Sequence, residues 1–365
     1  MQKYEFLIKN KAGAVLASLA KITGCSFSQY LNKPGDASFS GSVYNEKLFG
    51  ENVMPGFAEL YIYRYGTLVW GGEIGSLQES MSDTQDGVTV TAKGFLDLLS
   101  KKVVGTAAAP RVFSSTDLST IGWTLIDEAQ TGTNASFGIT QGVLATSRNA
   151  DRSYDYKILK EALEGLSNLN IINGIDLEIT AAKEFNTYYP QKGREIADVV
   201  FEWGKNIKSY TGALDSVDMT NRIILLGSGE GEAMVTTTRN NAALQAIYKI
   251  REKTLSYKDI GSTATLADHG DKELSLRGMQ QQTFSLIIAG DCEPAYGSYL
   301  LGDSVKVVIQ EGRVNINGFY RIYGIKVTVD DEDKEDIELT FINPAQDYLS
   351  QVVDSEQRLS ALERA

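Results

Sequence analysis

Histidine is nearly missing from this 365-residue chain, and His269 is the only one. Its isolation excludes zinc-peptidase sites of the HExxH kind and Ser-His or Cys-His nucleophilic centres, which need histidine in partnership with other groups. Cysteine is scarce too: Cys25 and Cys292 stand far apart in sequence, so neither a metal knuckle nor a disulfide framework is available, and both read as core residues. No apolar run approaches the roughly 20 residues of a spanning helix. The opening stretch, residues 1–8, enters a strand without the apolar segment and small-residue cleavage site of a signal peptide, so a protein made soluble in a cytoplasm is expected. Basic charge is in deficit, 35 Lys and Arg against 47 Asp and Glu, and the net −12 disfavours a protein that neutralises phosphates. Only six prolines accompany 34 glycines and 18 tyrosines, a balance that favours a β-rich, turn-rich protein. Hydrophobic residues at 42% and charged residues at 22% are ordinary globular usage, and the length allows two or three domains.

What is present is organised around a β-module that occurs twice, over residues 56–100 and 302–350. Each copy opens on a turn and an alternating strand (58–64 and 304–309), turns at Tyr65-Gly66 or Glu311-Gly312, and enters a second strand through an aromatic residue, Trp70 or Phe319. An acidic turn then leads to another alternating strand (88–92 and 337–341) and a short helical piece (95–99 and 345–349). If the duplication is real, three chains present six similar barrels, and a trimer can meet a six-fold partner.

Around these modules the chain reads as strands at 4–8, 14–22, 26–30 and 37–40, with a Pro-Gly turn at Asn32–Gly35. A small-residue linker follows at 105–110. Thr116 or Asp117 caps a helix to about Gln130 with Leu118, Ile121, Leu125 and Ala129 on one face, and a second helix is expected over about 156–169 with a wide apolar face. Strands at 176–179 and 183–189 form a hairpin, making a small α/β unit inserted in a β scaffold. Strands return at 199–204, 207–210, 222–227 and 283–288, and 262–277 is helix-like. From 345 the chain carries a heptad seam, in which Tyr348, Val352, Leu359 and Leu362 are the candidate oligomerisation residues.

Candidate chemistry is thin. His269 beside Asp268 and Asp271 has no second ligand at metal spacing. Gly227-Ser228-Gly229-Glu230-Gly231 follows a strand but lacks GxGxxG or GK[ST] spacing, and its acids would repel phosphate, so it reads as a hairpin turn. The acidic turn 330–336 lacks the glycine and ligand alternation of a calcium loop. Nothing selects a carboxylate pair for glycoside cleavage.

The order of several short segments resembles the tail-tip (baseplate) hub proteins of long-tailed bacteriophages, related to the central hub of contractile tails. The carriers are 32–39 (NKPGDASF), the strand Trp70–Ile74 followed by Val88–Leu99, the helix 157–169 leading to Ile175–Ile179, and Phe201–Ile207. Thr220–Gly227, Leu301–Val305 and Gly318–Ile322 complete the series. The resemblance implies an α+β, mainly β fold with two tandem-like, tail-tube-like β-barrel domains, an α/β insert between them and a C-terminal helix. The expected domains are a first barrel at 1–104, with strands from 196–233 available to complete it, the insert at 113–190, a second barrel at 234–344, and the helix 345–365. It further implies a non-enzymatic virion protein without cofactor, a homotrimer forming a pseudo-six-fold ring through which DNA passes without specific binding. Its implied partners are the distal tail protein ring, the tape measure protein, and tip spike, fibre or receptor-binding proteins. The alternatives are a hub of a phage-derived contractile injection machine, a wall hydrolase using acids of the insert, and a carbohydrate-binding adhesin stacking sugars on tyrosines and Trp123 or Trp203.

Overall fold

A computed structural model describes residues 3–19, 22–82, 86–106, 108–167, 174–257, 261, 263–278 and 281–341. The chain divides into two compact units, one of Met1–Tyr210 with Ser285–Phe341, and a second comprising Thr211–Phe284. The fold is mainly β, as expected. No sheet closes on itself among the described strands.

The first unit is built on a long sheet in which neighbours pair antiparallel wherever their register is described. From one end its strands run Val15–Leu19, Tyr4–Asn10, Ala58–Arg64, Thr67–Met81, Asp86–Gly94, Asp36–Gly41, Thr23–Tyr30, Gly324–Val329 and Glu335–Phe341, and then Gln281–Ala289 and Ile207–Asp215. Period-two alternation buries one face. Phe27, Phe39, Val90, Val327 and Leu339 point inward with almost no exposure, and the residues between them face solvent.

The two modules share one strand order. In the first, Ala58–Arg64 turns through Tyr65 and Gly66, both at positive φ as a two-residue primed hairpin turn requires, into the 15-residue strand Thr67–Met81. A bulge between Ile74 and Ser76 marks a change of partners along that strand: Thr67–Glu73 pairs with Ala58–Arg64, whereas Asp86–Gly94 pairs with it from Gly72 through the bulge to Met81. In the second module Ser304–Glu311 pairs with Val314–Arg321, the chain breaks at Ile322-Tyr323, and Gly324–Val329 pairs with Glu335–Phe341. Where one copy bulges, the other interrupts. The Ser304–Glu311 hairpin forms a separate sheet with Glu195–Glu202, which joins it in parallel.

The expected insert has its own core, in which Phe113, Leu118, Ile121, Leu125, Leu163 and Phe185 pack together with Leu99 and Val104 from before the linker. Asp117 caps the helix Leu118–Gln130, accepting hydrogen bonds from the amides of Ser119 and Thr120, a cap worth about 1 kcal/mol. The second helix is shorter than its apolar periodicity suggests, covering Leu159–Glu164. Lys157–Ile158 instead pairs with Val103–Val104, because Tyr156 turns the chain at φ 46°. Asp176–Ile179 and Glu184–Tyr188 form the expected hairpin.

The second unit carries a three-stranded sheet of Thr236–Asn240, Arg222–Leu226 and Glu252–Ser256, with the helix Thr263–Arg277 packed on it through Leu266 and Leu274. The strands Thr236–Asn240 and Glu252–Ser256 and the helix Ala242–Tyr248 do not announce themselves in the sequence.

Candidate functional site

For a protein without a recognisable catalytic constellation, the surfaces that strands leave unpaired are the first candidate sites. Beyond the bulge, residues 75–81 pair only with Asp86–Gly94, so their other edge is open among the described residues. All but Leu77 in this stretch are exposed. In the second module the matching strand, Gly324–Val329, has that same edge covered by Thr23–Tyr30, in register from Gly324 opposite Tyr30 to Val329 opposite Cys25. The sheet therefore reads as two successive four-stranded runs. One is Ile207–Asp215, Gln281–Ala289, Glu335–Phe341 and Gly324–Val329; the other is Thr23–Tyr30, Asp36–Gly41, Asp86–Gly94 and the 75–81 arm. They meet inside the chain, last strand of one against first strand of the other.

Two buried polar junctions tie the second module to other parts of the first unit. Glu335, on the second module, accepts both Arg64 nitrogens (2.8 and 2.9 Å) and the Tyr4 hydroxyl, with Lys3 at 3.4 Å. Burial alone would raise the Glu335 pKa, but the hydrogen bonds from Arg64 and Tyr4 outweigh it and hold the carboxyl below its ordinary range. A Cβ at Gly290 would lie 2.3 Å from that of Glu335, so only glycine lets the backbone cross there. At the second junction Asp176, fully buried, accepts from the Asn32 side chain (2.9 Å), the Lys192 amide (2.7 Å) and Arg321. Asn32 at φ 62° also accepts from the Leu177 amide at 2.7 Å. The Asn32-Lys33-Pro34-Gly35 turn is thus a clamp on the insert hairpin as well as a reversal.

The remaining residues singled out from sequence have structural roles. His269 rests on the Tyr257 ring at 4.7 Å, and Asp271 is bonded to Arg239. Gly227–Gly231 links two paired strands, with Gly229 at φ 93° where a Cβ would meet the Ala233 carbonyl. Asp330 caps its own turn, accepting from the amides of Glu332 and Lys334, both at 2.9 Å. The described residues contain no cluster of three or more metal-type ligands. Three acids of the insert are paired: Glu128 with Arg111, Glu161 with Lys157, and Glu178 with Lys192 and Tyr188. Trp123 stacks on Phe185 in the core, whereas Trp203 is 39% exposed. Cys25 is buried as expected, but Cys292 is only half-buried, since it sits in the loop after Ala289 rather than on a core-facing strand position. Tyr348, Val352, Leu359 and Leu362 lie outside the described residues. The open edge and the Asp176 and Glu335 junctions escape sequence reading, because each depends on partners far away in the chain.

No family model and no curated protein sequence matches the chain. Solved structures do. A 43 kDa tail protein of prophage MuSo2 from Shewanella oneidensis aligns over 93% of this chain and 98% of its own, with TM-score 0.68 at 13% identity. A tail protein from Neisseria meningitidis aligns over 93% and 97%, with TM-score 0.66 at 12% identity. A type VI secretion system component from E. coli, described as structurally similar to the T4 bacteriophage tail proteins gp27 and gp5, aligns over 88% and 73%, with TM-score 0.51 at 9% identity. Among the described residues no helix is long and apolar enough to cross a membrane. Over most of its length the chain has the fold of the phage tail-tip hub proteins that its sequence resembles.

Proposed function

We propose that this chain is a structural, non-enzymatic subunit of a phage tail tip or baseplate hub. Three copies close into a pseudo-six-fold ring that joins the hexameric distal tail ring or tube to the tip and lets DNA pass. The observation that carries this reading is the twice-repeated four-stranded run with one arm left open. Among the described residues, the strand edges joined inside the chain, Gly324–Val329 against Thr23–Tyr30, have counterparts without a neighbouring strand at the two ends of the eight strands. Joining the 75–81 arm of one protomer to Ile207–Asp215 of the next repeats that junction between chains. Heterologous contacts of this kind close into a ring when the rotation per chain divides the circle. Each run, with its outer hairpin layer, supplies one barrel-like domain, the first within 1–104 and the second within 234–344 together with the strands Glu195–Glu202 and Ile207–Asp215; the insert 113–190 lies between them in sequence, and Ala345–Ala365 assists trimerisation. The partners are then the distal tail ring, the tape measure protein and the tip spike, fibre or receptor-binding proteins, and the protein resides in the virion.

The likeness to a type VI secretion component supports a second reading, a hub of a phage-derived contractile injection machine, which differs in the neighbours it docks to. Light scattering of the purified protein, with negative-stain images of the same fractions, tests the ring. Trimers with a central hole and six peripheral lobes are expected. A strict monomer at high concentration would overturn the proposal.

A further inference from the structure

The side of the long sheet turned away from the core has an unusual composition. Across six strands one row of facing residues runs Asp336, Thr328, Ser26, Ser38, Thr91 and Ser76. Hydroxyls meet across it, with Ser76 and Thr91 2.6 Å apart and Ser40 and Thr89 3.2 Å apart in the neighbouring row. With Ile207–Asp215 and Gln281–Ala289 included, the described aliphatic side chains on this side are the half-buried Ile287 and Ala289 and, near the end of Ile207–Asp215, the exposed Leu214. The face carries three lysines, each matched to an acid. Lys93 bonds Asp36, Lys208 bonds Asp336 at 2.5 Å, and Lys326 stands opposite Glu338 in register. Its charges sum to zero on a molecule of net charge −12.

We infer that this hydroxyl-rich, charge-matched face is the channel wall of the ring, and that it passes a polyanion, double-stranded DNA, without holding it; the inference rests on the ring proposed above. A wall of unmatched lysines would release counterions on binding phosphates and stall the strand, and a strongly acidic wall would oppose its entry. Paired charges and hydroxyls do neither. Hydroxyls exchange hydrogen bonds with water at little net gain, so the contact stays wet and transient.

Two measurements separate the wall from the ring. In the first, a maleimide-gold label on T91C, in a background where Cys292 is serine, is located in negative-stain images. Gold in the central hole is expected; gold on the perimeter of intact rings overturns the wall and leaves the ring standing, and absence of rings overturns both. In the second, retention of a short DNA duplex is compared for the natural chain, D36N/D336N/E338Q, and E230Q/E232Q/E311Q, which removes as many acids away from this sheet. The exposed pairs broken in the first variant contribute little to stability, so it folds. The natural chain is expected to retain no duplex. The wall variant should gain about tenfold retention at low salt, falling steeply as salt rises. Equal gain in the control variant, or none in the wall variant, overturns the charge-matched wall.

Discussion

Asp176 is an acidic side chain withdrawn from water and held by donors from three parts of the first unit: the Asn32 turn, the Lys192 amide and Arg321. Removing its charge leaves Arg321 without its carboxylate partner, held by the carbonyl oxygens of Gly302 and Lys192 and by Tyr323. D176N is therefore expected to lower stability by roughly 3–5 kcal/mol, read as a shift of the denaturant midpoint with unchanged slope. Glu335 yields a prediction in pH. Its folded pKa lies below the ordinary value of 4.5, so its contribution is fully present above about that pH and is lost as pH falls through the lower folded value. Thermal unfolding of the natural chain should show that acid loss, and E335Q should be less stable at neutral pH with a flatter acid limb. Some of this scale was legible in advance: Asp117 announced its cap because a helix start is a local pattern. The Asp176–Arg321 pair, 145 residues apart, was not, since no local rule says which of many acids meets which base.

At the scale of elements the open arm is the most testable feature. In an antiparallel ladder successive amides alternate between facing the partner strand and facing away. Of Q78P and E79P, one removes a ladder bond to Asp86–Gly94 and the other only a free-edge donor. The milder variant should unfold within about 1 kcal/mol of the natural chain yet fail to form rings by light scattering; rings in both variants would exclude the arm as the joint. Strands were readable from alternation because one face is buried over most strands of the long sheet, the 75–81 arm and the end of Ile207–Asp215 excepted. The helix expected at 156–169 was overestimated because apolar residues at 158, 159, 162, 163 and 166 fit a helical stripe even though the first of them belongs to a strand. Short strands of the second unit, such as Thr236–Asn240, alternate exposed and half-buried residues and leave only a weak apolar signal.

For the whole molecule, the two four-stranded runs differ mainly in what joins their first two strands. In one it is the short turn Leu31–Gly35; in the other the chain makes the whole second unit between Ile207–Asp215 and Gln281–Ala289. Replacing residues 216–280 by a turn of the Leu31–Gly35 kind should leave the first unit folded, with its near-ultraviolet signature and its association kept. Loss of both would show that the second unit does more than interrupt a hairpin. The duplication itself was visible in sequence, but only from the second strand pair onward, because its opening strands are separated in one copy by that long excursion. The junction of Gly324–Val329 with Thr23–Tyr30 has a kinetic meaning as well. In the proposed ring, a chain that carries two runs already fused has closed half of the seams before it meets another molecule. Assembly of the proposed trimer would scale with the third power of protein concentration, where six single-run subunits would require the sixth, so such a ring could form from a scarce component.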